Sequence, residues 1–576
     1  MKTRVAPAVV ILGQNSVTVA RQITNNLPGA KLYGLVGRTD EVDVRFTNFG
    51  DTLRELFAAG TPIIGICAAG ILIRTLAPLI TDKSQEPPVL AVAEDGSAVV
   101  PLLGGLNGVN ELARHIAEAL NVKAAITTTG DLRFQTALLS PPPGYHLANP
   151  EDAKKFIADL LAGAKVKLVG IAPWLSESNL PIDDNGELTI QVTENAAISQ
   201  TNCLVYHPAK IAIAINSPNS ETLTQIYELL EDAQVSPKAV AVILAPLYLA
   251  TNPILENIAH IFKVPIRFFK VSQLTELTTQ GYSLHEAVVY AGTDANSKSF
   301  CSPFSQITIT IYPQIIDPQT IGQPQGKLAI IGTGPGASKW MSPEVKEILS
   351  HATDLVGYKT YINLIGALAD GKKIHESDNR EEETRAKMAL DLAAEGKYVA
   401  VVSSGDPGIY AMATAVFEVI DRYNQPEWQT IDIQVAPGIS AMQATAAAIG
   451  APLGHDFCVI SLSDILKPWE IIAQRITNAA QGDFVIAFYN PVSKQRTWQL
   501  AEAKNILLQY RKSDTPVILG WNLGRPGQVV KVITLEQLEP IEADMRTLII
   551  VGSSQTRKIE TSEKDIRVYT PRRYYS

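Results

Sequence analysis

The chain has 576 residues, 46% of them hydrophobic and 19% charged, with a formal net charge of -9. That composition excludes a disordered polar chain and is enough for several buried cores. It also excludes a surface built to coat nucleic acid, which needs a basic face, while a locally basic pocket stays open.

Cys67, Cys203, Cys301 and Cys458 lie far apart with no C-x-x-C pair, and the eight histidines form no metal-binding motif. A reducing compartment is expected, with neither a disulfide framework nor a protein-held metal. No signal-peptide layout precedes the apolar strand that begins by Val9. The longest apolar run, residues 62–73, falls short of the ~20 residues of a membrane helix. A cytoplasmic location follows from these readings.

In chain order, residues 9–12 read as a strand, 16–26 as a helix and 63–66 as a strand, before the glycine turn and apolar helix of GICAAGILIRTLAPLI. A strand at 89–92, EDGSAVVPLLGG at 94–105 and a helix at 110–120 continue an alternation that predicts an α/β sheet with parallel strands. Gly104, Gly105 and Gly108 read as a tight turn and Asn110 as a helix cap. SPPPG at 140–144 breaks regular structure, and residues 150–205, with the turn DDNG, predict a small satellite domain. From Lys210 a third unit has strands at 210–215, 239–244, 264–269 and 307–312. Residues 313–327, rich in proline and glutamine, then read as the inter-domain linker.

LAIIGTGPG at 328–336 is an apolar strand that runs into a glycine turn. Its G-x-G-x-x-A spacing, with Asp354 downstream, formally fits a dinucleotide loop. That reading is rejected: Pro335 has no N–H, and the helix starts late, with Ser342 as N-cap and Pro343 at N1. A helix is predicted from Asp378 to a stop at Gly396. The strand at 398–403 leads into SGDPGIY and a helix at 411–422; the strand at 431–436 leads into PGIS and a helix at 442–449. Asp406 with Pro407 at N1, and likewise Ser440, read as helix caps as well as ligand-loop residues. Together the three glycine loops sit at the C-terminal edge of one parallel sheet, where open α/β sheets bind ligands. A second lobe from Pro452 has strands at 457–462, 483–488, 517–520 and 547–551, with YNP and WNLGRPGQ following two of them. A site between two such lobes suits a large flat ligand with its co-substrate.

IGTGPG (331–336), VGYKTYI (356–362), VSSGDPGIYAMA (402–413), APGISA (436–441), GAPLGHDF (450–457) and FYNPVSKQR (488–496) resemble the tetrapyrrole methylase superfamily, and within it the precorrin-3B C-17 methyltransferase family. The resemblance implies S-adenosylmethionine as cofactor between two α/β lobes, a homodimer, and methylation of C-17 of a corrinoid with ring contraction in cobalamin biosynthesis. By position it implies Ser404, Gly405, Asp406 and Ile409 at the methionine end of the cofactor, with Ser440 and Ala441 along it. Tyr489, Asn490 and Gly524 then border the adenosine, and Gly334, Pro335 and Gly336 form the floor near the reacting centre. Ring contraction calls for a base, for which Tyr358, Glu382 and His455 are candidates. Lys359, Arg380, Lys494, Arg496 and Arg525 are the cations beside the motifs and candidates for substrate carboxylates.

GICAAGI (65–71), EDGSAVVPLLGG and NGVNELARHIAEAL (107–120) are similar to the N-terminal domain of the cobalt-precorrin-5A hydrolase family, which opens a ring-A lactone and releases acetaldehyde. VPIRFF (264–269) with LHEA (284–287) is similar to its C-terminal domain. Residues 106–109, LNGV, stand where that family carries a histidine and paired glycines, and 214–220, AINSPNS, where it carries a glycine-cysteine-arginine turn. Two readings of this half stay open: a second catalytic unit or a non-catalytic corrinoid-binding scaffold. For the other half, the alternative is another methylase of the superfamily. The expected fold is multidomain α/β: residues 1–138, 139–205 and 206–312, the linker 313–327, and methylase lobes at 328–450 and 451–576.

Overall fold

The computed structural model describes residues 6–83, 85–196, 201–279, 297–301, 306–377, 382–493, 496–540, 543–560 and 566–574. They divide into two compact units, Met1–Pro324 and Gln325–Ser576. Among the described residues no helix is long and apolar enough to cross a membrane.

The first unit holds three sheets. β1 (Ala8–Ile11), β2 (Lys31–Leu35), β3 (Val44–Phe46), β4 (Ile63–Ile66), β5 (Val89–Val92) and β6 (Val99–Leu103) assemble in the order β3-β2-β1-β4-β5-β6. β1, β4 and β5 are parallel and buried along their whole length, as apolar runs covered by helices on both faces should be; β6 returns antiparallel. Gly104 is glycine by necessity: its φ is +80°, and a Cβ there would stand 2.5 Å from the Pro87 carbonyl oxygen. Asn110 is not the expected cap. The helix Val109–Ala119 starts after Gly108, and the Asn110 side chain donates to Asp131 at 2.8 Å and to Thr128 at 3.2 Å, buried beneath the helix start.

β7 (Tyr145–Leu147), β8 (Val166–Val169), β9 (Leu188–Val192) and β10 (Cys203–Pro208) form a second sheet, in the order β7-β10-β9-β8. The boundary expected between residues 205 and 206 cuts through β10. That strand is continuous because Tyr206 is wholly buried, donating to the Leu138 carbonyl at 2.6 Å and packing edge-on against Trp174. β11 (Ile211–Ile215), β12 (Val240–Pro246), β13 (Ile266–Phe269), β14 (Lys298–Cys301) and β15 (Ile307–Ile311) make the third sheet, in the order β13-β12-β11-β15-β14. The expected linker is largely fastened to this sheet. Ile316 donates to Ala209, Arg267 to the Ile321 and Gly322 carbonyls, and Phe268 and Gln323 exchange backbone bonds. The LHEA stretch lies outside the described residues.

In the second unit β16 (Lys327–Gly332), β17 (Asp354–Tyr358), β18 (Lys373–Ser377), β19 (Tyr398–Ser403) and β20 (Asp432–Ala436) form an all-parallel sheet, in the order β18-β17-β19-β16-β20. Side chains alternate between its faces: Leu328, Ile330, Val399 and Val401 pack on one, Ala329, Ile331, Ala400 and Val402 on the other. After β21 (Gly450–Ala451), β22 (Phe457–Ser461), β23 (Val485–Tyr489), β24 (Pro516–Trp521), β25 (Val529–Thr534) and β26 (Thr547–Val551) build the second lobe, in the order β22-β23-β26-β24-β25. β22 and β23 are parallel, and β23 and β24 both run antiparallel to β26, so Ser461, Tyr489 and Trp521 end on one edge. β27 (Arg557–Glu560) and β28 (Ile566–Tyr569) pair with each other, and β28 pairs with β21. The helix expected from Asp378 is Glu382–Ala394; its predicted first turn lies outside the described residues.

Candidate active site

β16, β19 and β20 end at Gly332, Ser403 and Ala436, so three loops leave neighbouring positions on one sheet edge. The first two loops are paired. Gly334 and Gly405 exchange backbone hydrogen bonds of 3.2 and 2.8 Å, and Thr333 donates from both its N–H and its hydroxyl to the Ser403 carbonyl. The third closes on them: a Cβ on Gly332 would stand 2.6 Å from the Gly405 oxygen and 2.7 Å from the Gly438 nitrogen. Only glycine lets three backbones approach so closely. Gly334 and Gly405 also take φ of +74° and +69°.

Asp406 joins the second loop to the third. One carboxylate oxygen accepts from Gly408 N–H at 2.8 Å, the other from Gly438 N–H at 3.1 Å. It therefore does not cap a helix, nor does Pro407 open one. The helix is Met412–Tyr423 with Ala411 at its N-cap, because the carboxylate is committed across the loops and Tyr410 turns the chain with a φ of +52°. Ile409 closes this turn, donating to the Asp406 carbonyl. Ser440 does cap its helix, Ala441–Ile449, in a capping box with Gln443, and is 1% exposed.

The second lobe brings its own edge to these loops. Arg525 donates through Nε to the Pro335 carbonyl at 2.8 Å and through Nη2 to the Ser404 hydroxyl at 3.0 Å, its stem lying over Gly336. Gly524, φ +69°, packs against Pro335 and the Trp340 indole. Tyr489 accepts from Met442 N–H at 3.2 Å, and burial pushes its phenol up. Asn490, itself at φ +54°, donates to the Ser461 hydroxyl at 3.1 Å. Tyr410 donates to the Val459 carbonyl at 3.0 Å and stands 5.7 Å from the Tyr489 ring.

Not every expected residue joins this cluster. Arg496 is a buried brace and not a free cation: only 6% exposed, it donates to the Asn490 and Leu462 carbonyls. Lys359 points to solvent and pairs with Glu376 at 3.4 Å. Arg380 and Lys494 lie outside the described residues. His455 sits beside the tail, edge-on to Tyr574 and 3.7 Å from Asp456, and among the described residues none of its contacts involves the three loops. Tyr358 ends β17 and meets Tyr361 edge-on at 5.3 Å, and Glu382 opens its helix exposed to solvent.

Sequence reasoning missed Tyr361, Arg385 and Trp340. Burial raises the Tyr361 phenol, while the Arg525 and Arg385 guanidiniums pull it back, so both charges reach it. Arg385 is 3% exposed, with Nη1 3.2 Å from the Met412 sulfur. It shares a helical stripe with Ala386, Ala389, Leu390 and Ala393, and an arginine on such an apolar stripe was the available signal. Among the described residues the buried Trp340 indole N–H and Ser403 hydroxyl have no hydrogen-bond partner.

Residues 327–539 match the family described as Tetrapyrrole (Corrin/Porphyrin) Methylases, and residues 51–131 match Cobalamin synthesis G N-terminal. Cobalamin biosynthesis protein CobIJ of Mycobacterium bovis is 49% identical over 253 residues, 43% of this chain and 48% of that protein; the chain thus spans about half the length of this relative. The crystal structure of the methyltransferase CobJ aligns with 43% of this chain and 100% of its own, at 45% identity and a TM-score of 0.40. Precorrin-3B C(17)-methyltransferase of Sinorhizobium is 48% identical over 249 residues, 43% of this chain and 97% of that protein. With nearly the whole of that relative matched at such identity, the chain belongs to the tetrapyrrole (corrin/porphyrin) methylase family.

Proposed function

We propose that the Gln325–Ser576 unit transfers a methyl group from S-adenosylmethionine to C-17 of a precorrin-3B-type corrinoid, metal-free or carrying cobalt, with contraction of the macrocycle. One observation carries this reading: 48% identity with a precorrin-3B C(17)-methyltransferase across 97% of its length.

The loop residues fit such a cofactor. A Cβ on Gly405 would meet only ordinary contacts, the nearest 3.9 Å away at the Ser440 Cα, and among the described residues the Ser403 hydroxyl has no hydrogen-bond partner. Ser404, Gly405, Asp406 and Ile409 would hold its methionine end, with Ser440 and Ala441 alongside. Tyr489, Asn490 and Gly524 would border its adenosine, over a floor of Gly334, Pro335 and Gly336. When bound, it supplies a methyl group activated on a positively charged sulfur.

The protein's part is then alignment, holding an electron-rich macrocycle carbon in line at ~3–3.5 Å, a task that needs no covalent protein nucleophile. Asp406 orders loops instead of moving protons, since both of its oxygens already accept N–H groups. Arg525 keeps Nη1 for a substrate carboxylate while its other nitrogens hold the two loops. Tyr358 and Glu382 are the bases proposed for the hydroxyl proton in ring contraction; both act electrostatically on Tyr361, as do Arg525 and Arg385 with the opposite sign. A homodimer and a cytoplasmic location accompany this reading.

Mass spectrometry of corrinoid intermediates incubated with the full chain and S-adenosylmethionine tests it. A precorrin-3B-type substrate should gain one methyl. Transfer only to a different macrocycle would assign another methylase activity, and no transfer to any corrinoid would refute the proposal.

For the Met1–Pro324 unit we propose lactone opening on a cobalt-precorrin-5A-type substrate, supported by the match at residues 51–131. Acetaldehyde release is the readout, and its absence would leave the scaffold reading.

A further inference from the structure

The loop after β22 carries Ile465 and Leu466 in succession, 76% and 93% exposed. Side by side in water, these two large aliphatic side chains make one contiguous apolar tip. The next residue, Lys467, turns back and sets its ammonium 5.6 Å from the centre of the Tyr410 ring. Tyr410 belongs to the loop that carries Asp406, holds a left-handed backbone uncommon for a side chain of its size, and leaves nearly half its surface in solvent. Its hydroxyl is anchored to β22, and its ring leans on Tyr489 of β23, so the second lobe fixes its orientation through two contacts.

The charge here is opposite to that of the chain as a whole. Arg475, on the helix Trp469–Gln481, acts on both Lys467 and Tyr410, and burial together with Arg475 lowers the Lys467 ammonium. Among the described residues no carboxylate pairs with Lys467 or Arg475, although the protein carries 58 Asp and Glu against 49 Lys and Arg. Two unpaired cations, a fixed aromatic ring and an aliphatic tip thus lie together at the edge of the loop cluster.

We propose that Ile465, Leu466, Tyr410, Lys467 and Arg475 form a rim subsite for a flat, carboxylate-bearing tetrapyrrole, with the aliphatic tip and the tyrosine on its apolar surface and the two cations on peripheral carboxylates. The subsite rests on the methyl-transfer reading for the identity of its occupant. Lys467 connects the tip to the Asp406 loop, which favours a ligand shared with that loop over a second copy of the chain.

The test is fluorescence titration of the full chain with uroporphyrin I, a tetrapyrrole rimmed with carboxylates, and with its uncharged methyl ester. Wild type should bind the acid more tightly than the ester, and more weakly as salt rises. A Lys467→Ala, Arg475→Ala double variant should lose about tenfold in affinity for the acid, as expected for charge-assisted hydrogen bonds, while Lys467→Arg keeps most of it. Leu466→Asp should weaken both ligands. S-adenosylmethionine affinity by calorimetry should stay at the wild-type value in every variant, which separates this subsite from misfolding. The subsite is overturned if wild type binds neither ligand or if the variants bind as wild type does. It is also overturned if Leu466→Asp changes only the sedimentation coefficient, which would make the tip a seat for a second copy. Because the readout is binding, failure of methyl transfer in mass spectrometry would be seen separately.

Discussion

Arg525 donates from Nε to the carbonyl oxygen of Pro335, 190 residues earlier in the chain, at 2.8 Å. With Nη2 on the Ser404 hydroxyl, one guanidinium from the second lobe holds two loops of the first. Arg525→Ala is expected to lower kcat/KM for methyl transfer more than about tenfold, the worth of a charge-assisted hydrogen bond or two. Arg525→Lys should recover only part, because a single ammonium cannot span both acceptors in the same fork. Steady-state kinetics of the two variants checks this; equal rates for arginine and lysine would show that charge alone matters.

A methyl group on Gly438 would press on the Gly405 carbonyl and stand 2.5 Å from that of Gly332. Gly438→Ala should therefore destabilise the second unit by about 1–3 kcal/mol and weaken cofactor binding, as overpacking among immovable backbones does. Gly405→Ala meets no atom closer than 3.9 Å and suffers only from its positive φ, about 1 kcal/mol. Thermal denaturation of the pair should rank them in that order.

Asp406→Ala removes the acceptor for Gly408 and Gly438 together. Calorimetry should show S-adenosylmethionine binding lost or weakened by at least about tenfold, since two loops drift and two N–H groups are left without partners. Asp406→Asn should do nearly as badly, because one of its ends presents a donor to a donor. Wild-type affinity in either variant would count against the carboxylate as the tie between the loops.

Glu383 accepts from the Tyr423 hydroxyl at 2.6 Å, from Lys387 at 2.9 Å and from Arg422 at 3.0 Å. These partners, the tyrosine first, bring its carboxyl down to about 2. A carboxyl whose pKa is lower in the folded state stabilises the fold above its unfolded value of about 4.3 and loses that contribution as pH falls toward 2. The urea midpoint of Glu383→Gln should therefore lie below that of wild type at neutral pH, and the gap should narrow steadily between about pH 4.5 and 2. A gap independent of pH would assign the effect to packing.

The three glycine loops could be read in the residues because each follows a short, wholly apolar strand, and strand ends in parallel sheets are where ligands collect. Ser342 and Ser440 were legible as caps for a local reason: each accepts from an N–H three residues on. Asp406 was misread by the same logic, since its second partner, Gly438, is 32 residues away and no local pattern announces it. Arg496 looked available because a surface arginine is the common case; its burial depends on Leu462 and on Met545, which come from distant stretches of chain. Residues 313–323 have the composition of a linker, yet Ala209, Arg267 and Phe268 hold them at a sheet edge. Their two prolines and Gly322 mark irregular backbone and not freedom of movement.

The junction of Gly332, Gly405 and Gly438 has an evolutionary consequence. The surface it offers is written in peptide groups, which every residue type carries, so drift in nearby side chains other than the Asp406 tie leaves it unchanged. A single added carbon at Gly332 or Gly438, by contrast, has nowhere to go. A saturation library across the three loops would show its intolerance concentrated at Gly332, Gly438 and Asp406, with their other side-chain-bearing neighbours comparatively free to diverge. Such a site can keep its cofactor while the lobe around it is rebuilt for a different acceptor.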